Sequence, residues 1–192
     1  SILVDLCGIK GYVCQQLGPL CRSYGVHYIG GHPMAGREFS GFNYAQAELF
    51  QGGSMLLVPQ EDTPEKALTQ VEALCRQVGF GQVVRTTAEK HDQIIAFTSQ
   101  LAHVVSSAYI KSRCAQEQMG YSAGSYKDLT RVAKLNETMW TELFLKNSGP
   151  LVDEIDQIIT HLTEYRNAIQ NQDAPTLQAL LKDGRERKER LG

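Results

Sequence analysis

No apolar run in this 192-residue sequence is long enough to cross a bilayer, and no basic stretch leads into a signal-like core at its start. The expectation is a chain without a membrane span. Charge of one sign is also scarce: 19 Lys and Arg against 21 Asp and Glu leave a net charge of -2, with the signs mixed along the chain. That balance excludes the electrostatic footprint of a nucleic-acid or anionic-membrane binder. Cysteine is sparse, odd in number and scattered, at Cys7, Cys14, Cys21, Cys75 and Cys114. The short paired spacings of a zinc site are missing, so these read as reduced cysteines of a cytoplasmic protein with no metal. Cys7, Cys14 and Cys21 recur every seven residues, which in a helix would put them on one packed face. There is no internal repeat and no low-complexity segment.

What is present first alternates. Ile2-Leu3-Val4-Asp5 reads as a buried strand ending in an acid, and as a first element it suggests a fragment. Gly11 to Tyr24 has helical spacing at Tyr12, Val13, Leu17, Leu20 and Cys21, with Gly18-Pro19 expected to end or kink it. Val26 to Ile29 is a second strand, Asn43 to Phe50 a short helix and Gly53 to Val58 a third strand. Pro64 to Val78 is a helix, with proline near its first turn and Gly79 just past its end. Gln82 to Arg85 completes the series, which implies a largely parallel sheet.

After Thr87 the period changes. One helix is predicted from Ala88 to about Gln118, a stretch free of glycine and proline, and a short one from Tyr126 to Lys134. Asn136 can cap a helix holding Met139, Trp140, Leu143 and Phe144, which Asn147-Ser148-Gly149-Pro150 stops. Leu151, Ile155, Ile158, Leu162, Tyr165 and Ile169 then repeat at steps of four and three, the seam of a helix packed lengthwise on another. Asp173-Ala174-Pro175 opens a last helix that runs into a charged tail, Lys182 to Arg190, read as a solvated face. The fold class is therefore α/β followed by all-α, with the boundary near residues 86 to 90.

Two features point toward chemistry. His32 lies in Gly31-His32-Pro33-Met34-Ala35-Gly36-Arg37-Glu38-Phe39-Ser40-Gly41, read as a glycine-punctuated loop after the second strand, where reacting groups of α/β proteins commonly sit. The competing reading is a turn with a surface histidine. On the long predicted helix, Asp92, Ser99 and His103 fall within about 40° of one another, a stripe that a solvated face would also produce.

Several separated blocks, in order, resemble the prephenate and arogenate dehydrogenases of tyrosine biosynthesis. They are His32-Pro33-Met34-Ala35-Gly36 with Glu38 and Ser40-Gly41, His91-Asp92, Ser99-Gln100-Leu101-Ala102-His103, Ala123-Gly124-Ser125-Tyr126-Lys127-Asp128-Leu129-Thr130-Arg131, and Met139-Trp140 with Glu142-Leu143-Phe144. The resemblance implies a partial Rossmann-like domain over residues 1–87 and a helical substrate-binding and dimerisation domain over residues 88–192. It implies oxidative decarboxylation of prephenate, or of arogenate, with NAD or NADP, in a homodimer.

By similarity His32 takes the proton of the ring hydroxyl, and Arg131 holds a substrate carboxylate. His103, Asp92, Ser99, Glu38, Gly124 and Trp140 would complete the substrate site, with Gly124 reaching that of the neighbouring subunit. Asp5, Gly8, Lys10 and Pro33 would border the cofactor. The chain departs from the family pattern twice. Where relatives read Asp-x-x-Ser-x-Lys it has Asp5-Leu6-Cys7-Gly8-Ile9-Lys10, so either water replaces a serine hydroxyl or the site is weakened. The Gly-x-Gly-x-x-Gly turn that holds the pyrophosphate is also absent. The expectation is a truncated chain that binds dinucleotide poorly by itself. A non-catalytic binding or dimerisation module, and a dehydrogenase for β-hydroxy acids, are the alternatives.

Overall fold

The computed structural model describes residues 1–36 and 41–192. Glu38, expected at the mouth of the substrate pocket, lies outside the described residues. The chain opens with β1 (Ile2–Val4), α1 (Gly11–Ser23) and β2 (His27–Met34). It repeats the pattern with β3 (Ser54–Pro59), α2 (Glu65–Val78) and β4 (Gln82–Arg85). These strands form one sheet in the order β1-β2-β3-β4. Each strand–helix–strand unit is parallel, Ile2 opposite His27 and Ser54 opposite Gln82, while the units join antiparallel through β2 and β3. The sheet is thus mostly parallel, as short strands linked by helical crossovers require.

Strand alternation sorts the core. Tyr28 packs with Cys14, Cys21 and Val58 under α1. Its neighbour Ile29 packs with Met55, Leu57, Leu68, Val71, Cys75 and Phe80 under α2. The period of two then assigns Gly30 and His32 to the α1 face. Cys14 and Cys21 do share the packed face of α1, but Cys7 is exposed ahead of it, and all five cysteines are free thiols.

His32 lies within a strand, not in the loop that the sequence suggests. β3 pairs with β2 as far as Met34, placing His32 opposite Leu56, while β1 stops opposite Ile29. The Gly31 N–H turns away from β3 to Asp5, so the nitrogen of Pro33, two residues on, faces the same side. The missing donor therefore costs no ladder bond. Gly31 is required by a close approach: a Cβ there would collide with the carbonyl oxygen of Asp5 and with Val4 and Met55.

Three helical expectations change. The stretch expected as a helix from Asn43 to Phe50 forms only a 3-10 turn, Phe42–Tyr44, followed by further turns. Most of it is exposed, and so short a segment has no buried stripe to offset helix nucleation. α1 runs through Pro19 unbroken because Cys14, Gly18 and Cys21 anchor it on both sides of the missing bond. The predicted helix from Ala88 to Gln118 divides into α3 (Ala88–Ile95), a π-helical turn (Ala96–Leu101) and α4 (Ala102–Tyr109). The polar, exposed residues beyond Tyr109 form only a 3-10 turn, Arg113–Glu117.

Of the remaining helices, the sixth and the eighth begin at side-chain caps. α5 (Gly124–Thr130) leads into a 3-10 turn, Arg131–Ala133, and Asn136 then caps α6 (Glu137–Lys146) by accepting the N–H of Met139. α7 spans Ser148–Gln170, and Asp173 caps α8 (Ala174–Leu191) through Thr176. One compact unit spans Ser1–Leu151, and a second, Val152–Gly192, holds the rest of α7 and α8. Within the second, the Tyr165 hydroxyl donates to the Leu180 carbonyl. Of the seam positions on α7, Leu162 and Ile169 are exposed, as are Val152 and Ile159 beside them.

Candidate functional site

The loop after β1 is tied down from inside. Asp5 accepts hydrogen bonds from Cys7 N (2.8 Å), the Lys10 ammonium (2.5 Å), the Tyr28 hydroxyl (2.6 Å) and Gly31 N (3.2 Å). Burial works to raise the Asp5 pKa, but the bonds from Lys10, Tyr28 and Cys7 outweigh it and hold the carboxyl below its usual range. Lys10 is wholly buried. Asp5 and Lys10 therefore spend their polar atoms within the protein, and what they give a cofactor site is the shape of the loop that carries Gly8.

Asp92 comes from α3 to the N-terminus of α1. Its carboxylate accepts Lys10 N at 2.8 Å and Gly11 N at 2.7 Å, satisfying two otherwise unpaired donors and meeting the positive end of the helix dipole. Gly11 admits this approach, since a Cβ there would stand 2.9 Å from Asp92 Oδ2. The anion at this helix N-terminus is thus the protein's own. Burial again works to raise the pKa, and the bonds from His91, Gly11 and Lys10 bring it below the ordinary value. Behind it, Asn147 Nδ2 donates to the Asp92 carbonyl (2.9 Å) and to Gln100 Oε1 (2.8 Å).

This network reaches His32 through His91. Asp92 Oδ1 lies 2.7 Å from His91 Nδ1, and His91 Nε2 lies 2.9 Å from His32 Nδ1. The other nitrogen of His32 faces Gly8, where a Cβ would stand 3.9 Å from Nε2 and 3.6 Å from Leu143 Cδ2. Burial, then His91 and Lys10, push the His32 pKa down to about 4, against an opposing pull from Asp5 and Asp92. The imidazole is neutral near neutral pH. One nitrogen is held and the other lies beside the small residue Gly8, an arrangement suited to accepting a proton.

A second cluster gathers around His103. Its Nδ1 donates to the Ser99 carbonyl at 2.8 Å, and its ring lies 3.9 Å from that of Trp140, which packs on Phe144 at 5.3 Å. Trp140 and Leu143, three apart on α6, share one face, so a single helix borders both the His103 ring and the space between Gly8 and His32. Asp92 and His103 do not form the stripe expected on one straight helix. The intervening π-helical turn resets the phase, so Asp92 meets α1 while His103 meets Trp140. Ser99 contributes its carbonyl to this contact. Arg131, exposed, begins the 3-10 turn that packs against α4, the helix of His103, and Gly124 opens α5 in open space.

His91, Gln100 and Asn147 hold this region together; the sequence shows the first two in matching blocks and the third as a helix stop, and gives none of them a role at the site. A depression of about 660 Å³ lined by Tyr109, Ser112, Cys114, Tyr121 and Tyr126 contains none of the expected site residues. Among the described residues no group of three or more His, Cys, Asp or Glu could hold a metal ion, and no helix is long and apolar enough to cross a membrane.

Comparison with known proteins places this arrangement. A family model described as prephenate dehydrogenase, nucleotide-binding domain, matches residues 1–84, and one described as prephenate dehydrogenase, dimerization domain, matches residues 87–183. A cyclohexadienyl dehydrogenase of Zymomonas mobilis is 33% identical over 182 residues, 92% of this chain and 61% of that protein. A prephenate dehydrogenase of Bacillus subtilis is 27% identical over 169 residues, 85% of this chain and 45% of that protein. The chain thus spans between 45% and 61% of the length of these two relatives. Among solved structures, a prephenate dehydrogenase from Aquifex aeolicus, in complex with hydroxyphenyl propionate and NAD+, is 27% identical with a TM-score of 0.84, covering 100% of this chain and 68% of that one. An arogenate dehydrogenase from Synechocystis, 24% identical, shares the fold with a TM-score of 0.81 over 100% of this chain and 70% of that one. Matched in order along both its α/β and its helical parts, the chain belongs to the prephenate dehydrogenase family.

Proposed function

We propose that His32 is the proton acceptor in the oxidative decarboxylation of a cyclohexadienyl carboxylate, prephenate in the first instance, with NAD or NADP as oxidant. The carrying observation is the neutral His32 ring, held at Nδ1 and facing Gly8 at Nε2. The ring hydroxyl of the substrate donates to that nitrogen and passes it a proton as the carbinol carbon gives up its hydride. Breaking the bond to the ring carboxylate then releases carbon dioxide, and its electron pair restores aromaticity.

The residues at this point fit the nicotinamide end of a dinucleotide. Gly8 presents neither charge nor bulk beside His32 Nε2, Pro33 follows on the opposite face of β2, and α1 offers no vacant N-terminus to a phosphate because Asp92 fills it. When bound, the nicotinamide supplies the hydride acceptor. Arg131 pairs with a substrate carboxylate through its planar guanidinium. His103, fixed by Ser99 and Trp140, bounds the substrate end, and Glu38 and Gly124 complete the site.

Arogenate is the second substrate considered. The relative from Zymomonas mobilis is named for cyclohexadienyl substrates in general, and prephenate and arogenate differ only at the side-chain keto or amino group. The functional form is a homodimer. Its support is the match to the dimerization domain together with the exposed Val152, Ile159, Leu162 and Ile169 of α7.

The test is prephenate-dependent NADH formation by the native protein, with arogenate assayed in parallel. His32→Ala is expected to lower kcat/KM by about 10²–10⁴-fold. A variant at the wild-type rate removes His32 from the chemistry, and a folded wild type that forms no NADH from either substrate favours a non-catalytic module.

A further inference from the structure

We propose that His91 is a positioning residue that dictates which nitrogen of His32 carries the proton, leaving Nε2 bare on the side facing Gly8. The proposal rests on the reading of His32 as the base and explains how that ring is kept ready. The reasoning starts at Asp92. Its carboxylate already accepts two backbone N–H groups, Lys10 N on Oδ1 and Gly11 N on Oδ2, and an ionised carboxylate has no proton to give. Its third contact, at 2.7 Å, therefore requires His91 Nδ1 to be the donor.

With His91 in its neutral form, which has one donor and one acceptor, Nε2 must accept. The only proton available to that 2.9 Å contact is on His32 Nδ1. With Nδ1 protonated, His32 Nε2 is left with its lone pair. The opposite tautomer of His32 would set two bare nitrogens against each other inside the protein, a repulsive contact that also leaves two buried acceptors unsatisfied.

The surroundings offer His32 Nδ1 no other charged partner. The His91 side chain is fully buried, and Asn147 grips the Asp92 carbonyl behind it. The other charged groups facing His32 are Lys10 and Asp5, which are bonded to each other, with the second Asp5 oxygen taken by Tyr28 and Gly31. Neither is free to bind His32 Nδ1. When Nε2 receives a substrate proton, His32 becomes an imidazolium that still donates from Nδ1 to His91, and the Asp92 charge one ring away favours it. His91 touches no substrate in this scheme and acts only through His32.

The experiment is nitrogen-15 spectroscopy of the full 192-residue chain with labelled histidine, near neutral pH, compared with His91→Gln and His91→Leu. In the wild type, His32 is expected to show a protonated Nδ1 and an Nε2 resonance in the unprotonated range. Gln can return an acceptor oxygen to the place of His91 Nε2, so that variant should keep the pattern. Leu cannot, and the Nε2 resonance should move toward the protonated range. A wild-type His32 protonated at Nε2, or a doubly protonated His91, overturns the proposal. So does a folded Leu variant whose His32 spectrum is unchanged. If Leu prevents folding, the wild-type and Gln spectra still decide. Should the spectra come out as expected while His32→Ala leaves NADH formation intact, the assignment of His32 as the base fails and the tautomer lock stands.

Discussion

Two histidines border α6, and they are held by different means. His32 is tied through His91 and Asp92 to the first turn of α1, so its surroundings are assembled from segments as far apart as residues 10 and 92. His103 bonds to the carbonyl one turn back in its own helix and lies against Trp140. The first arrangement removes a ring from water and holds it neutral. The second needs only a helix and an aromatic neighbour. Proton transfer calls for the first kind of support, because a base must keep a bare nitrogen aimed at one point, whereas bounding a substrate asks only for a fixed surface.

The largest test of this contrast is at the two supporting residues. Asp92→Ala strands Lys10 N, Gly11 N and His91 Nδ1 together, and is expected to cost about 3 kcal/mol or more in urea denaturation. Ser99→Ala keeps the carbonyl that His103 uses, and should change stability by no more than about 0.5 kcal/mol. Similar costs at both positions would erase the distinction.

Acidity probes the same difference. The His32 pKa is lowered from 6.5 to about 4 in the folded chain, so the unfolded state takes up a proton first as pH falls. The stability this neutral ring contributes is complete above the unfolded value and is lost between it and the folded one, up to about 3 kcal/mol. Asp5 and Asp92, whose pKa values are also lowered, lose their contribution only further down, below the ordinary carboxylate value. Denaturation midpoints from neutral pH down to about 4 should therefore fall less steeply for His32→Gln than for the wild type; parallel curves would show that His32 is not the titrating group.

The smallest effect is expected at Gly8. A Cβ there meets only ordinary contacts, at 3.6 and 3.9 Å, so Gly8→Ser should leave stability within about 0.5 kcal/mol. The hydroxyl it adds beside His32 Nε2 should raise kcat/KM with prephenate by about tenfold or less, the value of one hydrogen bond. A lower rate would mean that the space beside the ring serves better empty.

Much of the layout was legible because it rests on local rules. Apolar runs marked the strands, Pro64 and Gly79 bracketed α2, and Asn136 and Asp173 announced α6 and α8. The misplacements at the site lie where local spacing carries no signal. His32 was read into a loop because glycine and proline surround it, yet pairing with β3 extends the strand. The polar stripe assumed a straight helix, and the π-helical turn from Ala96 to Leu101 has no signature in hydrophobic spacing. His91 stood among the matching blocks without a role, since a buried histidine on a helix declares itself only through what it touches. Asn147 looked like a helix stop and is also the clamp behind Asp92.

The cap on α1 carries a consequence for assembly. Its two leading amides find their acceptor some eighty residues downstream, so the first turn of this helix is complete only when α3 lies against it. The seam between the two matched family segments, after residue 84 and before residue 87, is crossed by that bond. A chain cut there would part the sheet from the carboxylate that closes its first helix, so each half holds hydrogen-bond partners that the other needs.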